Sequence, residues 1–242
     1  MQPPQPSQAP RRILTRRRLL QLSTLSGAGL LLDACGAPLY SRQINKVSEP
    51  LNQRVEKVLL RQTPVPEYPI SAITPDALLV NSFDGTPQID MGTFQLTLDG
   101  AVNRPMQLSM ADIKAMPLTS TVIRHICVEG WSAIVQWGGV RMQDLAVLVE
   151  PRPEVRYVYF QSADNYYESW DLPSALHSQT LMAYQRDGMP LPAENGAPLR
   201  LAAPIKLGYK LSKWVTRISF MADLPEAQGY WEDKGYEWFG GI

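Results

Sequence analysis

Beyond residue 70 the apolar positions come in short bursts, most of them too short for helices of ordinary length. Phe94, Leu96 and Leu98 alternate with polar neighbours, so residues 93–99 are predicted as a half-buried strand ending in the Asp99-Gly100 turn. Residues 121–126 form a β-branched run suited to a buried strand, residues 155–161 read as another, and residues 199–202 and 214–220 as two more. Residues 181–186, Asp187-Gly188 and residues 189–191 predict a hairpin, because Asp-Gly supplies the positive φ values that a tight turn needs. Helices are fewer. Ser109-Met110-Ala111-Asp112 has the form of a cap opening a short helix that Pro117 stops, and a second is expected over residues 142–149, ended by Pro151. Short strands with a few short helices between them make an α+β, strand-rich single domain of about 170 residues.

The N-terminal part follows a different plan. A Pro-rich start leads to Arg11, Arg12, Arg16, Arg17 and Arg18, then to an apolar stretch over residues 19–32 that is interrupted by Ser23, Thr24, Gly27 and Gly29. That is the layout of an export signal, too short and too broken for a membrane-spanning helix. Residues 1–34 are therefore expected to be a signal peptide, with Thr15-Arg16-Arg17-Arg18-Leu19-Leu20-Gln21 resembling a twin-arginine signal, the route of proteins that fold before export. Leu32-Asp33-Ala34-Cys35-Gly36 resembles a lipobox, which would make Cys35 a lipid anchor; Asp33 departs from the pattern. Residues 35–69 read as a tether: a short helix starting at Ser48-Glu49-Pro50 with Leu51, Val55, Val58 and Leu59 on one face, then a Pro-rich extended spacer at residues 63–69. Residues 70–225 form the globular domain. Residues 226–242 are an aromatic, acidic tail that could cap a pocket, dock a partner or cover the core.

Charge narrows the function. The whole chain is neutral, and without its leader carries a net of −4, which does not suit a nucleic-acid binder. If Cys35 is lipidated, Cys127 has no intramolecular disulfide partner. Cys127 stands at the end of the β-branched run, before the polar turn Glu129-Gly130. Such a thiol is either a soft metal ligand facing a pocket or a small buried hydrophobe. A second stretch holds Arg200, Lys206, Lys210 and Lys213 within fourteen residues, interrupted by Pro204 and Gly208. It reads as a loop, either a phosphate cradle of free N–H groups and cations or a solvated basic segment.

Taken together, two motifs point to one family. Arg124-His125-Ile126-Cys127-Val128-Glu129-Gly130-Trp131, followed by Val135-Gln136-Trp137-Gly138-Gly139-Val140, resembles the molybdenum-ligand segment of the sulfite oxidase superfamily. The similarity is nearest to its bacterial periplasmic branch, typified by the catalytic subunit of the methionine-sulfoxide reductase system. Asn195-Gly196-Ala197-Pro198-Leu199-Arg200 and Pro204-Ile205-Lys206-Leu207-Gly208-Tyr209-Lys210-Leu211-Ser212-Lys213 resemble the segments with which that family grips molybdopterin. The resemblance runs from about Asn81 to Phe220 and implies a sulfite-oxidase-like fold without the C-terminal immunoglobulin-like dimerisation domain, and hence a monomer. It implies a mononuclear molybdenum–molybdopterin cofactor with Cys127 on the metal, and cofactor contacts from Asn81, Ser162, Asn195, Arg200, Leu211, Ser212 and Lys213. Asn81-Ser82-Phe83 matches an N-terminal contact segment, while Asp84-Gly85 replaces a Tyr-Glu pair.

The substrate side of the resemblance is Tyr166-Tyr167-Glu168-Ser169, where a tyrosine could hydrogen-bond an oxo group or relay a proton; the alternative is an aromatic strand end packing the core. Arg124 is a candidate for an anionic substrate or cofactor group, although strand alternation puts it opposite Cys127 unless a bulge or the turn intervenes. Trp131 and Trp137 are expected to wall the pocket, and His177 to satisfy local hydrogen bonds. The implied activity is oxygen-atom transfer on a small substrate by an exported, periplasmic enzyme of the sulfoxide-reductase type. The alternatives are a sulfite-type oxidase and a binding lipoprotein that has lost the cofactor. No C-x-x-C-H haem motif occurs, so electrons are expected from a membrane haem protein or a cytochrome.

Overall fold

A computed structural model describes residues 64–82 and 85–242. The expected signal peptide, Cys35, the tether helix and Asp84 lie outside the described residues.

Two five-stranded sheets carry the domain. The first contains β1 (Gln95–Gly100), β2 (Met106–Ser109), β5 (Tyr157–Ser162), β6 (Tyr167–Asp171) and β10 (Val215–Met221), in the order β2-β1-β10-β5-β6. Only β1 and β10 pair in parallel in it, with Leu98 opposite Ile218. The second runs β3 (Thr119–Ile126), β4 (Ser132–Arg141), β7 (Leu181–Arg186) and β8 (Met189–Pro190), with β9 (Arg200–Ala202) also paired to β7.

Both helices predicted within the described residues form, the first with its cap in place. In α1 (Met110–Ala115) the Ser109 hydroxyl accepts from the Asp112 N–H, and the Asp112 carboxylate accepts from the Ser109 N–H, a reciprocal pair that satisfies two otherwise orphaned donors. Helix α2 (Met142–Val149) stops at Glu150, which turns left-handed before Pro151. A third, α3 (Leu172–Ala175), is one turn capped by Asp171.

The core has two parts. Leu96 and Leu98 of β1, Leu145 and Val149 of α2, Phe160, Trp170, Ile218 and Phe220 form the larger cluster. Ile123, Val135, Trp137, Leu181 and Ala183 form the smaller one. Strand β7 sends Met182 and Tyr184 to the first and Leu181 and Ala183 to the second, so it is buried on both faces and reads as a continuous apolar run. Strands β2, β4 and β6 are additional to those predicted. In β4 and β6 the alternation is masked by Gly138-Gly139 and by Glu168, which is fully buried.

The last residues of the expected spacer are extended, as their prolines require, but they are bound to the domain. The Val65 N–H and C=O both bond the Gln179 amide, and the Tyr68 N–H donates to the Val122 carbonyl on β3.

Candidate active site

One cleft of about 590 Å³ opens between the β3–β4 turn, the loop from β9 to β10, and the C-terminal segment, a volume suited to a cofactor plus a small molecule. The first wall follows from the hairpin. Strand β3 ends at Ile126, and the turn closes with the Cys127 N–H donating to the Trp131 carbonyl at 2.9 Å and the Gly130 N–H to the Cys127 carbonyl at 3.1 Å. This leaves Cys127 half-buried at the edge of the cleft. Desolvation pushes its thiol up, and the Glu129 carboxylate, 3.7 Å from Sγ, adds to that. An incoming cation would displace the proton, so the site favours the thiolate only when a metal is present.

Glu129 also ties two walls together. Its Oε2 accepts from Asn81 Nδ2 at 2.7 Å and from Trp131 Nε1 at 3.0 Å. Those bonds hold its pKa below the ordinary carboxylate value.

The second wall is cationic. Arg200 lies 4.5 Å over the Trp137 ring and donates to the Asn195 carbonyl at 2.9 Å. Asn195 Oδ1 accepts from Arg186, which leaves its NH₂ group for a ligand. Lys213 donates to the Asn81 and Glu194 carbonyls. Burial, with Arg186 nearby, lowers Arg200 to about 9; burial and Arg200 together lower Lys213 to about 8. Among the described residues neither cation forms an ion pair, although Asp164 and Glu194 act on Lys213 from further off, and an anionic ligand would complete the pair. Gly196 turns at φ +113 here, and a Cβ on it would lie 3.0 Å from those of Arg200 and Lys213. Gly208 lies against the end of β3, where a Cβ would meet His125 Nε2 at 3.1 Å.

The cleft thus gathers Asn81, Cys127, Tyr166, Asn195, Arg200, Leu211, Ser212 and Lys213. Ser212 Oγ is buried without a hydrogen-bond partner among the described residues. A single thiol, two cations, an amide and an orphaned hydroxyl around one cleft fit a phosphorylated pterin with a metal at its far end.

Several candidates stand elsewhere. Arg124 is exposed, stacks 5.2 Å from the Tyr68 ring and does not line the cleft. The strand stays regular through Ile126, so alternation turns His125, and not Arg124, to the side of Cys127. Ser162 ends β5, buried, outside the cleft lining and with no partner for Oγ among the described residues; Asp164 lines the cleft instead. The Tyr167 hydroxyl donates to Asp233 at 2.8 Å, outside the cleft. Tyr166 reaches the cleft, but its proton is donated to the Tyr209 carbonyl at 2.6 Å and burial raises its pKa. As placed, it offers a ring and an acceptor rather than a free proton. The basic loop also divides: Lys206 and Lys210 do not join the phosphate cradle. Lys210 Nζ lies 2.5 Å from both Glu168 and Glu232, and Lys206 donates to the Phe239 carbonyl at 2.6 Å. Both are buried, whereas Lys213 is half-buried and lines the cleft.

His125 is the main residue not singled out from sequence. It lines the cleft, is 5% exposed, stacks on Trp131 at 5.6 Å, and has no hydrogen-bond partner for Nδ1 among the described residues. Burial, Arg200 and Lys213 depress it to about 3, so the ring is neutral. Its parity with Cys127 along β3 was the available signal. His177, by contrast, takes the local role expected of it, with Nδ1 accepting from the Gln179 N–H.

Comparison with known proteins identifies the family and the fold. Residues 83–231 match the model of the oxidoreductase molybdopterin binding domain. The chain is 41% identical over 179 residues to the putative protein-methionine-sulfoxide reductase subunit YedZ1 of Azospira oryzae, covering 73% of this chain and 67% of that protein. It is 30% identical over 164 residues to the protein-methionine-sulfoxide reductase catalytic subunit MsrP of Campylobacter jejuni, spanning 61% of this chain and 54% of MsrP. It is 34% identical to the uncharacterized oxidoreductase YuiH of Bacillus subtilis, covering 76% of that protein. The sulfane dehydrogenase SoxCD of Paracoccus pantotrophus shares the fold, with a TM-score of 0.56 at 20% identity over 70% of this chain and 52% of that one. The matched span holds both the thiol hairpin and the cationic loop, and this chain belongs to the molybdopterin-binding oxidoreductase family.

Proposed function

We propose that the protein reduces sulfoxides at a molybdenum–pterin centre held in this cleft. The carrying observation is the convergence of one half-buried thiol, Cys127, and two desolvated cations, Arg200 and Lys213, on a single cavity. In this reading Cys127 binds the metal as thiolate. Arg200 and Lys213 hold the phosphate, with the Asn195 amide and the Ser212 hydroxyl as further donors. The bound cofactor supplies two-electron oxygen-atom transfer. A sulfoxide takes up two electrons and two protons to give a sulfide and water. The electrons come from a redox protein, a membrane haem protein or a cytochrome, consistent with export to the periplasm. The names of YedZ1 and MsrP support the sulfoxide as substrate. A small inorganic anion such as sulfite would need a tight cationic pocket; here Trp131, Tyr166, Trp231 and Tyr236 share the lining.

The test is elemental and pterin analysis of the purified protein beside its Cys127→Ala variant, followed by methionine sulfoxide reduction with a reduced viologen dye. Molybdenum in the wild type, its loss in the variant and turnover of the sulfoxide are expected. Equal metal in both proteins overturns the ligand assignment, and oxidation of sulfite without sulfoxide reduction overturns the direction.

A further inference from the structure

The C-terminal segment does more than cover the core, because Trp231 and Tyr236 both line the cleft. Their ring centroids are 5.1 Å apart, and Tyr236 stands edge-on to Tyr209 at 5.4 Å. Each keeps 37% of its surface exposed, whereas Trp137, Trp170 and Trp214 are buried. Large rings left open on a concave wall present an apolar face to whatever enters it.

They are also held in advance of binding. The turn Glu232–Lys234 folds Tyr236 back, so that its N–H donates to the Trp231 carbonyl at 3.0 Å. Glu232 is anchored on Lys210, Trp238 Nε1 donates to Ser169 Oγ at 2.8 Å, and the Gly240 carbonyl accepts from the Leu207 N–H. A wall fixed this way loses little freedom when it takes up a ligand. Its neighbours in the lining, Leu79, Val80 and Val128, are exposed and apolar.

We infer that Trp231 and Tyr236 form an aromatic clasp for the organic substituent of the substrate, selecting compounds whose reacting oxygen is carried beside an aryl or extended apolar group over those with small substituents. The inference deepens the sulfoxide-reductase reading and borrows from it only the head group of the probe.

The test uses non-reducible sulfones, so that binding is read apart from turnover. Methyl p-tolyl sulfone and dimethyl sulfone are titrated calorimetrically into cofactor-loaded wild type, Trp231→Ala, Tyr236→Ala and Trp231→Phe, with molybdenum and pterin measured in each sample. The wild type should bind the aryl sulfone at least about tenfold tighter than dimethyl sulfone. Each alanine variant should weaken the aryl sulfone by about five- to tenfold, leave dimethyl sulfone unmoved and retain its cofactor, and Trp231→Phe should recover most of the loss. Equal wild-type affinity for the two sulfones, or unchanged aryl affinity in both alanine variants, overturns the clasp. Loss of cofactor in both variants assigns the rings to cofactor retention and overturns it too. Aryl sulfone binding by a wild type that reduces no sulfoxide supports the clasp and counts against the reductase reading alone.

Discussion

Lys210 and Glu232 meet at 2.5 Å with neither side chain more than 1% exposed, and this contact fastens the C-terminal segment to the loop between β9 and β10. Glu168 closes on the same ammonium from the other side, so two carboxylates share one cation in the interior. That arrangement raises Glu168 well above its ordinary value, through desolvation and the neighbouring Glu232, against the opposing pull of Lys210. Replacing Lys210 by Met leaves two buried carboxylates uncompensated and should cost about 3–5 kcal/mol of stability. Glu232→Gln should cost less, because Lys210 keeps Glu168. Urea unfolding of the three proteins measures the order.

Arg200 and Lys213 should be separable from the metal ligand. Methionine at either position removes a charge-assisted bond worth about 1.5–3 kcal/mol, so pterin retention should fall by roughly ten- to a hundredfold. Cys127→Ala should instead lose molybdenum. Pterin fluorescence and metal analysis on the same samples distinguish the two losses.

Affinity for the cofactor should depend on pH. The Lys213 ammonium, depressed to about 8 by burial and by Arg200, is the form that attracts phosphate. A bound anion favours that form, so affinity is full below pH 8 and declines as the pH rises through it. The cofactor dissociation constant at pH 7 and pH 9 measures the effect. In Lys213→Met the step between those pH values should flatten.

Arg124→Ala should leave molybdenum and pterin contents unchanged and alter stability by about 0.5 kcal/mol or less, since the side chain is an exposed partner of Tyr68. Metal analysis and thermal unfolding check both halves.

What could be read from the chain followed the range of each signal. Caps and turns are local, so α1, α2 and the Asp187-Gly188 hairpin lie where the residues put them. The α+β class was legible in the short apolar bursts, and the molybdopterin family in two fixed motifs. The loop reading of residues 200–213 could not say which cations face a ligand, because Lys210 finds its partners 42 and 22 residues away, at Glu168 and Glu232, and no local pattern announces such pairs. His125 was hidden for the opposite reason. It belongs to the thiol motif itself, but only strand parity separates it from Arg124. The tail's aromatic residues were visible, whereas their place on the cleft depends on contacts with Lys206, Leu207 and Lys210.

The pairing of β1 with β10 sets a schedule for synthesis. Strand β10, the latest in sequence of the five, lies at the middle of the first sheet, between β1 and β5, so neither half of that sheet can be sealed until β10 has emerged. Nascent chains halted short of residue 215 should remain protease-sensitive throughout that layer, and chains extended past residue 221 should acquire resistance there in one step.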